Sequence, residues 1–179
     1  MNHRIKNREY RRFLDEGLIN LVTPDTIKEA IQNIKGKNAV SAKALLWVLY
    51  YTGCRPAEAL LLMPDDIKKE GRHLAIYFKK TLKNGLPRPF FVPMKREGAV
   101  TILNYASRVH PSIPLFYQFK GSYKRAHTKK SGEIVTYNET SGKLRYHFKK
   151  WFGFMDDPIP PYFLRHNRFS QLTMANVSA

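Results

Sequence analysis

The chain has 179 residues, with 31 Lys+Arg against 14 Asp+Glu and a formal net charge of +17. At that length one domain buries roughly two-thirds of its unfolded surface, and 43 % hydrophobic residues supply the core, so a wholly disordered chain is excluded. A single cysteine, Cys54, excludes an internal disulfide framework and a multi-cysteine zinc site and points to a reducing, cytoplasmic compartment.

Residues 1–22 read as a basic lead-in or linker, crowding Arg4, Lys6, Arg8, Arg11 and Arg12 around few apolar positions; no apolar stretch of signal-peptide type follows them. Thr23-Pro24-Asp25 opens a helix, with Thr23 as N-cap and Pro24 at the first helical position. Ile27, Ala30, Ile31 and Ile34 then repeat at helical spacing toward Gly36. A second helix, apolar nearly all round, is expected from about Val40 through Tyr51, stopping at Gly53. Its apolar run Ala44–Tyr51 falls well short of the roughly 20 residues of a membrane span. A short third helix is expected over Arg55–Met63.

The period then changes. Leu74–Lys80 and Pro89–Pro93 are β-rich runs flanking Asn84-Gly85, the signature of a hairpin, and its tip is cationic with Lys79, Lys80, Lys83 and Arg88. A helix is expected over Lys95–Arg108, turning Ala99, Val100, Ile102 and Leu103 inward. Gln118–Gly132 is expected to form a cationic loop with Lys120, Lys124, Arg125, Lys129 and Lys130. Leu144, Phe148 and Trp151 mark a helix over Glu139–Trp151, ringed by Lys143, Arg145, Lys149 and Lys150. After Pro160-Pro161 a last helix carries YFLRHNRFSQL. With no internal repeat, residues 23–179 are expected to form one domain, mainly α with a small antiparallel β-hairpin or sheet, an α+β class.

An excess of cations of this size selects partners of dense negative charge, nucleic acid before anionic membrane. Lys83, Arg88, Lys120, Lys124, Arg125, Lys129, Lys130, Lys143 and Lys149 are the candidate DNA contacts; the same residues would otherwise be a solvated face. Arg55 and Arg165 stand out, with a hairpin lysine, because they sit at the ends of apolar elements. A guanidinium at a helix start can grip two oxygens of a phosphate as a fork; alternatively Arg55 is simply paired with Glu58, three residues on.

TGCRPAEALLL resembles the first arginine box of the tyrosine recombinases, the integrase-type enzymes that cut and rejoin DNA through a phosphotyrosine. FKKTLKNGLPRPFFVP then resembles their lysine-bearing hairpin, and YFLRHNRFSQL their second box, all in the same order. The resemblance implies that Arg55 and Arg165 clamp the scissile phosphate and that Lys80, or Lys83 in another hairpin register, protonates the leaving 5′ oxygen. Tyr162 stands where the family has the first histidine of its second box, a Tyr-x-x-Arg pattern similar to some archaeal integrases. The resemblance makes it a phosphate ligand, the nucleophile, or an aromatic packed at the helix start, and makes His166 a catalytic or structural hydrogen-bonding group.

The resemblance further implies double-stranded DNA as partner, a homo-oligomer (a tetramer on DNA) in the complete enzyme, and neither cofactor, metal nor membrane. The family's nucleophilic tyrosine lies beyond the helix on which this sequence stops, so the chain is expected to be a truncated catalytic domain, incomplete by itself. A non-catalytic DNA-binding protein on the same fold, and less readily a basic RNA-binding protein, are the competing readings.

Overall fold

The computed structural model describes residues 22–79, 86–121, 123–128, 131–139, 142–155 and 159–177. Helix α1 (Pro24–Gln32) starts as the sequence requires: the Thr23 hydroxyl accepts from the Thr26 amide, and the Thr26 hydroxyl accepts from the Thr23 amide. Helix α2 (Ala39–Thr52) is buried on nearly every side, which is why its sequence lacks a polar stripe. It ends on Gly53 in the left-handed region (φ 56°), whose amide closes onto the Leu49 carbonyl. The following helix α3 (Pro56–Ala59) is a single turn with Arg55 as its N-cap. It is shorter than the Arg55–Met63 helix expected, because the next turns run into Pro64, which opens the 3-10 turn Pro64–Asp66.

The hairpin is present but belongs to a larger sheet. β1 (Ile67–Glu70), β2 (His73–Phe78) and β3 (Arg88–Pro93) form an antiparallel sheet in the order β1-β2-β3, with Leu74 opposite Val92 and Ile67 opposite Ile76. β1 escapes a sequence reading because IKKE buries only Ile67. The sheet's inner face, Ile67, Leu74, Ile76, Phe78 and Val92, joins the same core as α2.

Helix α4 (Ala99–Ala106) is shorter than expected at both ends. It buries Ala99 and Ile102, but Val100 is half exposed, because the face toward α2 begins one residue earlier. Gly98 caps it at φ 82°, and a Cβ there would fall inside the Trp47 indole. The expected loop over Gln118–Gly132 is instead partly strand: after the 3-10 turn Tyr117–Phe119, β4 (Tyr123–Thr128) pairs antiparallel with β5 (Ile134–Glu139) as a second, separate sheet. Charge hid it, since Lys124 and Arg125 interrupt any apolar alternation.

Helix α5 (Gly142–Trp151) starts later than the Glu139 expected, because Glu139 closes β5 instead, and it buries Leu144, Phe148 and Trp151 as the spacing predicted. Helix α6 (Phe163–Val177) crosses α2 and packs on it. Asn167, buried on α6, donates to the Val22 carbonyl at 3.0 Å and so ties the last helix to the start of the first. The architecture is α+β, a helical core around α2 with a small sheet on one side. Among the described residues no helix is long and apolar enough to cross a membrane.

Candidate phosphate-binding site

The turn between α2 and α3 gathers three arginines, Arg55, Arg88 and Arg165. Thr52 seals the end of α2, its hydroxyl donating to the Val48 carbonyl at 2.7 Å and accepting from the Cys54 amide at 3.2 Å. Gly53 then reverses the chain so that Arg55 leaves the core at the N-cap of α3. Its amide donates to Glu58 Oε2 at 2.8 Å and its guanidinium to Glu58 Oε1 at 3.1 Å. The pairing with Glu58 that the spacing allowed is therefore made, yet the Arg55 side chain stays 26 % exposed while that of Glu58 is fully buried. One edge of the guanidinium is held and part of the side chain remains open to solvent, a preorganised cation.

Glu58 is shared. Arg88, at the start of β3, reaches the same carboxylate with Nη2 3.5 Å from Oε2, and its guanidinium lies 4.8 Å from the Phe90 ring centroid and 5.6 Å from that of Phe78. Arg88 thus sits half-buried beside Arg55 rather than out on a hairpin tip. Two cations on one buried carboxylate leave a net positive charge at this place, which favours an anion.

Arg165 arrives from the other end of the chain. On the first turn of α6 it donates Nη1–H to the Gly53 carbonyl at 2.9 Å and lies 4.7 Å from the Phe169 ring centroid. The approach is close because residue 53 lacks a side chain: a Cβ there would lie 2.9 Å from Arg168 Cβ. The charges of Glu58, Arg88 and Arg165 all act on the Cys54 thiol, which places them around one turn. Burial, the largest influence, pushes that thiol up to about 12, so Cys54 is an inert core residue.

Tyr162 precedes α6 and is exposed, its ring 5.0 Å from that of His166 in an edge-on contact. The half-buried His166 imidazole titrates below its ordinary 6.5, first through burial and then through the neighbouring Arg165 charge. It is therefore neutral at pH 7 and offers a single N–H donor. Arg55, Arg165, Tyr162 and His166 thus occupy two adjoining segments, the α2–α3 turn and the start of α6, joined by the Arg165–Gly53 bond.

The lysines divide otherwise. Lys80, Lys83, Lys129 and Lys130 lie outside the described residues. Lys79, at the end of β2, is held by Asp66 at 2.6 Å, and that hydrogen bond raises its pKa above the ordinary value, so it points back at the sheet's first turn. Lys120 and Lys149 are exposed, Lys143 donates to the Gln118 carbonyl at 2.7 Å, and Lys124 and Arg125 are carried by β4. Sequence reading did not find the Arg88–Glu58 link, which joins residues 30 apart with no periodic signal between them.

Neither a protein-family model nor a curated protein sequence matches the chain. Solved structures do. XerH site-specific recombinase bound to difH substrate, in a pre-cleavage complex, matches with a TM-score of 0.57 at 16 % identity, over 87 % of this chain and 43 % of that one. The post-cleavage complex of XerH with a palindromic difH substrate gives 0.56 at 16 % identity, over 87 % and 42 %. XerA recombinase gives 0.52 at 14 % identity, over 86 % and 49 %. The chain spans under half the length of these recombinases. Within that span it has their α+β fold.

Proposed function

We propose that the chain is the DNA-binding catalytic domain of a site-specific tyrosine recombinase of the integrase type, in the Tyr-x-x-Arg variant. The observation that supports this most is the meeting of Arg55 and Arg165, distant in sequence, at the single Gly53 turn, on a fold shared with recombinases. A phosphoryl transition state concentrates negative charge on its non-bridging oxygens, and prepositioned guanidinium groups stabilise that charge without reorganising. Arg55 and Arg165 take those oxygens, while Tyr162 and neutral His166 add hydrogen bonds.

A tyrosine oxygen attacks the phosphorus of double-stranded DNA, a 3′-phosphotyrosine forms, and the 5′ oxygen leaves with a proton from Lys80, or from Lys83 in the other register. Attack by the 5′ hydroxyl of a partner strand reverses the step, so no energy source is consumed. On this reading the working unit is an oligomer on DNA, and a covalent adduct formed by this chain places the DNA on one of its own tyrosines, Tyr162 being the first to examine by peptide mapping.

The test is a denaturing-gel assay for covalent protein–DNA adduct on nicked genomic duplex fragments, with Arg165→Ala as control. The expected loss of adduct is about 100-fold or more, whereas duplex affinity, the sum of many phosphate contacts, falls only a few-fold. Equal losses of binding and adduct would overturn the assignment of Arg165. Salt-sensitive binding with no adduct from the wild-type chain would instead mean a domain that holds DNA and either takes its nucleophile from elsewhere or does not cut.

A further inference from the structure

Arg88 occupies a position of the sheet that belongs to the core. The register of β2 and β3 sets Leu74 opposite Val92, Ile76 opposite Phe90 and Phe78 opposite Arg88, and paired residues share a face. Leu74, Ile76, Phe78 and Val92 on that face are buried, so Arg88 is its last inward position. Two rings hold the side chain there. Phe78 and Phe90 stand edge to face, 5.9 Å apart at 86°, with the Arg88 guanidinium 5.6 and 4.8 Å from their centroids. A cation turned into a core face is costly unless an opposite charge meets it, and Glu58 does so, its Oε2 3.5 Å from Arg88 Nη2.

Glu58 does not depend on that second cation for its hydrogen bonds. Arg55 already donates to both of its oxygens, from the backbone amide to Oε2 at 2.8 Å and from Nη1 to Oε1 at 3.1 Å. The Arg88 contact lies at the outer limit of a hydrogen bond, so what it adds is chiefly charge. An apolar residue at position 88 would simply continue the inner face, and exchanging a buried charge for a well-packed apolar group is often neutral for stability. Formal charges show what the arginine changes: Arg55 with Glu58 sums to zero, whereas Arg55, Glu58 and Arg88 together carry +1.

We propose that Arg88 is a positioning residue of the phosphate site, acting through Glu58. The buried carboxylate fixes the direction of the Arg55 guanidinium, and Arg88 offsets the negative charge that this fixing brings, so that Arg55 keeps its own charge for a phosphate group. The inference rests on the phosphate-site reading and deepens it.

The experiment titrates inorganic phosphate into the full chain labelled with 15N and follows the Arg55 Nε–H signal, assigned by its loss in Arg55→Lys. Arg88→Met is expected to weaken phosphate binding about tenfold, the effect of removing one nearby charge, while the melting temperature stays within about 3 °C of wild type. Arg88→Lys, which keeps the charge, stays within about threefold of wild type. The sharpest contrast is Glu58→Gln added to Arg88→Met: it removes the carboxylate charge that Arg88 had offset and restores most of the lost affinity, whereas a purely structural role for Arg88 makes the double variant worse than either single one. Arg88→Gln takes the place of Arg88→Met if circular dichroism shows the latter unfolded. An R88M affinity within twofold of wild type, an R88K variant as weak as R88M, or a double variant weaker than R88M overturns this proposal alone. A wild-type Arg55 signal indifferent to phosphate overturns the phosphate-site reading and this proposal with it.

Discussion

Glu58 is the side chain on which the candidate site is built, because it is buried and two arginines from separate elements share it. Glu58→Ala leaves both guanidinium groups without that partner and opens a space in the core. Removing one member of a buried pair costs several kcal/mol, and the partial exposure of both arginines reduces this to about 2–3 kcal/mol, readable as a fall in the urea midpoint with an unchanged slope. Among the described residues, two histidines contribute a pH dependence. His147 stacks on Trp151 and titrates below 6.5 through burial and the charges of Lys143 and Lys150; His166 is lowered as described. For a base whose folded pKa is depressed, the unfolded chain binds the proton first. Stability is therefore intact above about pH 6.5 and is lost as pH falls from there through the lower folded values. His147→Phe keeps the ring stack and is expected to shrink that acid loss in denaturation curves measured between pH 7.5 and 5. A slope unchanged by the substitution would show that His147 titrates alike in both states.

At the level of elements, the α2–α3 turn and the α6 start form one device, and Gly53 is its hinge point. The residue adopts φ 56°, which costs a residue with a side chain about 1–2 kcal/mol, and its missing Cβ leaves room for the Arg168 stem. Gly53→Ala is expected to lower the melting temperature and, by pushing α6 outward, to weaken the Arg165–Gly53 bond, so adduct formation falls more than stability alone predicts. Gly98→Ala is more severe, since its Cβ would overlap the Trp47 indole, and little soluble protein is expected. Much of this level was legible beforehand. The Thr23-Pro24 start of α1, the all-round apolar α2 ending on Gly53, the β2–β3 pairing and the Leu144/Phe148/Trp151 face of α5 each follow from local periodicity and end signals. β1, β4 and β5 were not legible, because a strand needs only a neighbour to bond to, and the charged residues within β1 and β4 erase the alternation that would betray them.

For the whole molecule, charge is the dominant property. Lys120, Lys143 and Lys149 lie exposed around the 3-10 turn and α5. If about six phosphates are neutralised, the slope of log affinity against log salt is near −5. Lys120→Glu and Lys149→Glu are each expected to reduce its magnitude by about one, measured by fluorescence anisotropy on a duplex across a salt series. A duplex affinity indifferent to salt would place the binding elsewhere than on this cationic surface.

The sequence by itself determined the net charge, the absence of any disulfide partner for Cys54, the helical core and the order of two arginine segments flanking a hairpin, since these are written in composition and in patterns a few residues long. Only the tertiary structure decided that Arg165 reaches the Gly53 turn beside Arg55, that Arg88 turns inward to Glu58, and that Lys95, Arg96 and Arg168 edge one groove beside Pro24. Each of these depends on which distant elements pack together, and packing is settled by the shape of the whole core rather than by any local pattern.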